Sequence, residues 1–192
     1  MSTKRAAAKA SVTRLRPQRR LRALSLDEAL AIINGTFAAA AEHKCSPLAA
    51  IVLDAGGRVK AFLKQDGCSM LRFEISRGKA YGALALGRSS RMVLQKAREK
   101  PLFMQNVETM ADSPIFLEGG GQLIRDPDTG EVVGAIGVTG DVNEMDDICA
   151  MEGIRGAGYK TDYDFDAEDE HRLKIVKSEP LKDPRKAAHK DR

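Results

Sequence analysis

The clearest strand signal in the chain is the run EVVGAIGVTG at residues 131–140. Its β-branched and apolar residues predict a strand over residues 131–139. Gly134, Gly137 and Gly140 lie inside this strand or at its end, and they do not open a helix as the glycines of a dinucleotide-binding turn do. We therefore interpret these glycines as positions of close packing.

The segments next to this run continue the pattern of short strands and turns. Residues 126–130 predict a turn, and the glycine triplet 119–121 separates two predicted strands at residues 115–118 and 123–125. After the run, Asn143 is expected to cap a helix whose first turn is acidic.

The N-terminal half predicts helices around a β-hairpin. Ser25 and Glu28 form a capping box for a helix that ends near His43, and residues 49–54 and 58–64 form the hairpin. Two more helices are predicted at residues 70–86 and from Ser89 or Ser90 to about Arg98, whereas residues 100–114 are ambiguous, with one helical turn between loops. This element order predicts an α/β (α+β) fold, in which helices pack against an antiparallel sheet.

The charge is unevenly distributed and divides the chain into three parts. Residues 1–22 contain eight Lys or Arg and no acid, residues 23–159 contain 14 basic and 18 acidic residues, and the net charge of the chain is +4. We expect a disordered basic arm at 1–22, a folded domain at 23–158 and a charged tail at 159–192. The alternative for the arm is a targeting segment or a contact with nucleic acid or an anionic membrane. The mildly acidic domain itself argues against a nucleic-acid binder.

The length of the apolar runs and the number of cysteines both bear on the location of the protein. No run approaches 18 consecutive apolar residues, so no membrane span is expected. The three cysteines, Cys45, Cys68 and Cys149, do not suggest a disulfide framework, and this favours reduced thiols in the cytoplasm.

A succession of motifs resembles the GlcG/HbpS family, which includes the C-terminal domain of PduO-type corrinoid adenosyltransferases. The motifs are IVLDAGG at 51–57, DG at 66–67, SRGKAY at 76–81, GR at 87–88, GGG at 119–121 and VVGAIGVTG at 132–140. The resemblance covers residues 24–158. It implies a profilin-like fold, a homo-oligomer ranging from dimer to octamer, and haem or a corrinoid-linked ligand bound near subunit interfaces. Many members of the family are associated with small-molecule catabolism.

Candidate ligand contacts come from one predicted helix and from the glycine triplet. Arg77 could bind a carboxylate and Tyr81 could move a proton, with Glu74 as the acid, and the alternative is a helix that buries its phenol ring. Gly119, Gly120 and Gly121 could form an anion nest completed by Arg125, and the alternative is a plain turn. Lys79 joins Arg77 and Arg125 as a candidate contact for haem propionates.

His43 is the best candidate for a metal ligand, because it is the only histidine inside the region of resemblance. Its alternative role is a cation that the helix dipole stabilises. Cys68 could be a reactive thiol or a buried apolar residue. Asp141, Glu144, Asp146 and Asp147 could bind a hard cation or cap a helix.

Two functions from different classes remain open on these residues. The first is an oligomeric protein that binds haem or a related tetrapyrrole at a subunit interface, with His43 on the iron. The second is a catabolic enzyme that acts on a compact carboxylate by proton transfer. The low aromatic content of 5% favours a small ligand over a porphyrin. The chain lacks the P-loop and the Gly-x-Ser-x-Gly elbow and offers no complete set of catalytic residues, and the resemblance to the family favours the binding protein.

Overall fold

A computed structural model describes residues 22–179 and 181–184, so most of the predicted basic arm lies outside the described residues. Within these ranges, four antiparallel strands form one sheet in the order β2-β1-β4-β3. Their bounds are Ala49–Asp54 for β1, Val59–Lys64 for β2, Gly121–Arg125 for β3 and Val132–Thr139 for β4. The run at 131–140 thus supplies a central strand, and the predicted fold class is confirmed.

Helices cover both faces of the sheet. The helices of the described chain are α1 (Leu26–Glu42), α2 (Arg72–Leu86), α3 (Ser90–Glu99), α4 (Pro101–Met110), α5 (Asn143–Gly156) and α6 (Ala167–Leu173), with a 3-10 turn at Asp162–Asp164. One face of the sheet packs against α1 and α5, and the other packs against α2. No helix within the described residues is long and apolar enough to cross a membrane.

The alternation of side chains along the strands explains this three-layer arrangement. In β1, Ala50 and Val52 belong to the core under α1 and α5, whereas Ile51 and Leu53 belong to the core under α2. Successive residues of a strand point to opposite faces, so a strand that is apolar at every position must be covered twice. β1 is buried along nearly its whole length for this reason.

The structure settles one ambiguous segment in the middle of the chain and corrects one predicted strand. Residues 100–114 contain the ten-residue helix α4, which starts with Pro101 at its first position and buries only Met104. Residues 115–118 are not a strand, because Phe116 N donates to Gly78 O at 3.2 Å and the segment therefore lies on α2 instead of joining the sheet. A side chain at Gly78 would collide with Phe116.

Two helix starts also differ from the sequence prediction. The helix expected at 70–86 begins at Arg72. Asn143 is the first residue of α5, and Val142 occupies the cap position without a side-chain hydrogen bond.

The packed body extends past residue 158 into the predicted charged tail. Lys160 pairs with Arg125 through two backbone hydrogen bonds of 2.9 and 3.0 Å. The Arg125 guanidinium binds the buried Asp162 carboxylate at 2.5 Å, and Phe165 is also buried. Residues 160–165 are held to the sheet by a buried ion pair more than by an apolar stripe. Their charged composition therefore gave no sign in the sequence that they pack against the domain.

The closest approach between α2 and the sheet gives a stability prediction. A Cβ atom at Gly137 of β4 would lie 1.9 Å from Ser76 O of α2. We expect Gly137→Ala to lower the free energy of unfolding by about 3 kcal/mol, because helix and sheet would have to separate. Urea unfolding followed by circular dichroism measures this change.

Gly156→Ala is the matched control, because no atom of the described residues lies within 4 Å of its Cβ position apart from its chain neighbours and the backbone of its own helix. We expect it to be neutral or to stabilise the protein by up to about 1 kcal/mol. Equal effects of the two substitutions would contradict the packing argument.

Candidate functional site

A buried ion pair joins α2, β4 and α5. Lys79 Nζ donates to Asp146 Oδ2 at 3.0 Å and to Val138 O at 3.2 Å. Both charged side chains are only 1% exposed. Burial raises the pKa of Asp146 to about 6, although the neighbouring Lys79 opposes this rise. Any contact between Lys79 and a ligand would require this pair to open.

A second buried carboxylate holds the glycine triplet in place. Asp147 Oδ1 accepts hydrogen bonds of 2.7 Å from Gly120 N and from Gln122 Nε2, and its Oδ2 accepts one of 3.0 Å from Arg91 Nε. Burial raises the pKa of Asp147, and the Arg91 guanidinium opposes the rise. Gly121 N donates to Ser90 Oγ at 2.7 Å. The amides of Gly120 and Gly121 thus already bind groups of this chain.

The glycine triplet passes very close to its neighbours, which explains its lack of side chains. Gly120 has a φ of +107°, and a Cβ atom there would lie 2.4 Å from Val138 O and 3.1 Å from Lys79 Nζ. A Cβ at Gly119 would lie 2.6 Å from Asp147 Oδ2. The triplet therefore covers the two buried carboxylates directly.

Arg125 does not lie beside the glycine triplet. It is at the opposite end of β3, where its Nε binds Asp162 and its Nη1 donates to Gly130 O at 2.9 Å. Burial raises the pKa of Asp162, while Arg125 opposes the rise. The structure thus separates the predicted anion nest from the residue that was expected to complete it.

The acidic residues at the start of α5 mostly serve the fold. Asp146 and Asp147 are the buried carboxylates described above, and Asp141 Oδ2 accepts a hydrogen bond of 2.7 Å from Ser46 N. Glu144 lies 3.5 Å from Arg91. Over residues 22–179 and 181–184, no group of three or more His, Cys, Asp or Glu side chains could hold a metal ion.

The three residues predicted to be catalytic share one side of α2. Glu74, Arg77 and Tyr81 are separated by three and four positions, so they form a single stripe. Glu74 is exposed. Arg77 Nε is buried and has no hydrogen-bond partner among the described residues. Tyr81 Oη accepts a hydrogen bond of 3.2 Å from Asp112 N.

An exposed apolar surface, which the sequence analysis did not identify, begins this stripe. Met70 is 83% exposed, Leu71 53% and Phe73 36%. The Phe73 ring packs edge to face against Phe62 of β2, with ring centroids 4.9 Å apart. We refer to Met70, Leu71, Phe73 and Phe62 as the α2 apolar surface. Arg77 follows Phe73 one helical turn later.

His43 lies on the other side of the sheet from this surface. It follows the last residue of α1, is 22% exposed, and its Nε2 is 3.1 Å from Glu152 Oε1 of α5. Because α1 and α5 cover one face and α2 covers the other, His43 and Arg77 of one chain are separated by the sheet. The structure therefore does not bring the predicted metal ligand and the α2 stripe together.

A cleft of about 600 Å³ lies between α3, the start of α5 and residues 178–179 and 181–182. Of the residues predicted to contact a ligand or a cation, Gly119 and Glu144 line it. Charged side chains dominate the lining: Arg91, Arg98, Glu144, Glu179 and Lys182. An apolar macrocycle has little matching surface there.

Comparison with known proteins establishes the family. A family model described as "Haem degrading protein HbpS-like" matches residues 24–155, and the chain belongs to this family. The resemblance identified from the motifs is thereby confirmed. A search of curated proteins gave no match.

Several solved structures share the fold at low sequence identity. A complex of PduOC with haem is 19% identical, with a TM-score of 0.64 over 73% of this chain and 99% of that chain. The Klebsiella pneumoniae protein ORFY is 20% identical, with a TM-score of 0.65 over 76% of this chain and 98% of that one. A double mutant of Streptomyces reticuli HbpS is 19% identical, with a TM-score of 0.62 over 78% and 97% of the two chains.

The buried pair gives a second stability prediction. We expect Lys79→Met to lower the free energy of unfolding by about 3 kcal/mol, because it leaves the Asp146 carboxyl buried without its cation. The double variant Lys79→Met, Asp146→Leu should recover at least half of this loss, because no buried charge remains at the pair. Urea unfolding at pH 7 measures both.

Arg172→Met provides the control, because Arg172 forms an ion pair with Asp169 at the surface. This substitution should change the free energy of unfolding by no more than about 0.5 kcal/mol. A Lys79→Met variant as stable as this control would show that the Lys79–Asp146 pair is accessible to water.

Proposed function

We propose that the protein is a cytoplasmic homo-oligomer that binds haem or a related tetrapyrrole between two subunits. The α2 apolar surface and Arg77 of one subunit contact the ring and a propionate, and His43 of another subunit ligates the iron. Haem supplies the iron centre, and these residues hold and orient it. The described residues offer an apolar platform, a cation and an imidazole, which are the groups that such a ligand requires.

Family membership supports this proposal. The family description names haem degradation, and one structure of the same fold is a complex with haem. Membership of a family and a shared fold do not identify a ligand, so the case for haem rests on the residues of this chain.

The observation that carries the proposal is the exposed α2 apolar surface with a cation at its end. Exposed apolar groups that lie together are typical of a binding surface. Phe73 presents an aromatic ring, and Arg77 lies next to it on the same stripe. A porphyrin has the same arrangement, with a flat apolar ring and carboxylates at one edge. A guanidinium pairs well with a carboxylate.

Arg77 is the best placed of the three proposed propionate contacts. Lys79 and Arg125 are both buried in ion pairs with Asp146 and Asp162. Breaking either pair would leave a buried carboxylate without its cation, at a cost of about 3–5 kcal/mol. Arg77 is partly exposed, and its Nε has no hydrogen-bond partner in the described part of the chain.

The separation of His43 from Arg77 supports a site shared by two subunits. One haem can contact both residues only if they come from different copies of the chain. Glu152 contacts Nε2 of His43, and a carboxylate in contact with an imidazole orients its ring for metal binding.

A second candidate function uses the same stripe. Because Glu74, Arg77 and Tyr81 lie on one side of α2, Arg77 could bind a compact carboxylate while Tyr81 and Glu74 move a proton. The neighbouring subunit would have to close this open surface. Haem titration distinguishes the two functions, because the enzyme requires no haem.

The first test combines light scattering with a haem titration. We expect a mass of two or more times 20.9 kDa and a saturable shift of the Soret band. His43→Ala should change the spectrum of the complex, because the axial ligand sets the electronic state of the iron. His171→Ala, a control at an exposed histidine of α6, should not. Arg77→Ala should weaken binding by about 10-fold, whereas Arg98→Ala on α3 should not.

Mixed oligomers test the shared site directly. Each site takes His43 from one subunit and Arg77 from the other. In a symmetric pair made from one His43→Ala subunit and one Arg77→Ala subunit, one site therefore carries both substitutions, and the other site carries neither. We expect half of the sites to bind haem with wild-type affinity.

Loss of tight binding at every site of the mixed pair would show that both residues act within one subunit. A monomeric mass would exclude the interface. Tight binding of a small acid without any Soret shift would favour the enzyme.

A further inference from the structure

Two cysteines far apart in the sequence meet between α1 and α5. Cys45 Sγ lies 3.9 Å from Cys149 Sγ, across a separation of 104 residues. A disulfide requires an S–S distance of about 2.05 Å, so the described state is the dithiol, and a sulfur movement of about 2 Å would close the bond. Cys45 follows the end of α1, where Lys44 adopts a φ of +53°, and Cys149 lies within α5.

The two thiols differ in their access to solvent. Cys45 is partly exposed and lines a cleft of about 280 Å³ together with Pro47 and Gln65. A molecule as small as a hydroperoxide can reach Cys45 from this cleft. Cys149 is fully buried. Burial raises the pKa of Cys149 well above its ordinary value, and the proximity of Cys45 adds to this rise.

This asymmetry assigns a different role to each thiol. An accessible cysteine can react with an oxidant first, and a second cysteine beside it can then resolve the product. Cys149 is protected from the oxidant but lies beside Cys45, so it can only react with what forms there.

We propose that Cys45 and Cys149 are a redox-sensitive pair that forms a reversible disulfide when the protein meets a hydroperoxide. The Cys45 sulfur attacks one peroxide oxygen and becomes a sulfenic acid as the O–O bond breaks, and the other oxygen takes the Cys45 proton and leaves as water or an alcohol. The Cys149 sulfur then displaces the sulfenic oxygen, which takes the Cys149 proton and leaves as a second water. Two thiols are oxidised and one peroxide is reduced, so electrons and atoms balance.

The disulfide would connect the end of α1 to α5 beside the His43–Glu152 contact. It would close a loop of about 100 residues, and a cross-link over such a long loop restricts the unfolded chain. The oxidised protein should therefore unfold at a temperature several degrees higher than the reduced protein. This proposal does not depend on haem binding, and its test uses the full chain without haem.

The test is peroxide treatment of the folded protein, followed by alkylation after denaturation and by mass spectrometry. The reduced protein should take up alkyl groups at all three cysteines. After treatment, we expect a mass loss of about 2 Da before alkylation, one remaining alkylated thiol at Cys68, and a peptide that links Cys45 to Cys149. Dithiothreitol should restore all three thiols.

Substitutions of the cysteines provide the controls. Cys68→Ser should still form the disulfide, although Cys68 Sγ donates to Pro47 O at 3.1 Å near the same cleft. Cys45→Ser should abolish the disulfide. In Cys149→Ala the reaction should stop at a Cys45 sulfenic acid, which dimedone traps.

Several outcomes would overturn the proposal. Three alkylated thiols after peroxide treatment, a link between Cys45 and Cys68, or sulfinic acid at Cys45 of the wild-type chain would each do so. A disulfide in a protein that fails to bind haem would leave this proposal standing and reject the proposed function.

Discussion

The buried ion pair between Lys79 and Asp146 is the interaction on which the arrangement of this molecule depends. It joins the two helical layers through the carbonyl of Val138 on a central strand. Two opposite charges are stable in such a place only if they remain paired and hydrogen-bonded. The loop at residues 119–121 excludes water from the pair, and it can do so because its glycines leave room for Lys79 Nζ.

This constraint divides the surface of α2 into two halves. The inner half carries Lys79 and is fixed against the sheet, where a ligand has no access. The outer half carries Phe73 and Arg77, and it remains available for a ligand or a second subunit. His43 lies at the end of α1, on the face of the sheet opposite to α2. A haem that uses the outer half of α2 and an imidazole therefore needs two copies of the chain, which links the proposed binding mode to oligomerisation.

Local sequence patterns predicted the elements whose burial is periodic, and they failed where contacts between distant segments decide the structure. The strand at 131–139 follows from its apolar residues. The segment at 115–118 has similar residues, but its backbone bonds to Gly78 of α2, and no local pattern contains that information. The helix α4 was missed because it buries almost nothing. Likewise, the motifs indicated Lys79 as a candidate, but its burial depends on Asp146, 67 residues away.

A carbon-13 NMR titration of the Asp146 carboxyl group tests the central role of the buried pair most directly. Asp146→Asn assigns the resonance by its disappearance. The account predicts a midpoint near pH 6, well above the ordinary value of 3.8 for an aspartate, because burial penalises the charged carboxylate even with Lys79 beside it. A midpoint at the ordinary value of 3.8 would contradict the account, because it would show that the carboxylate is solvated.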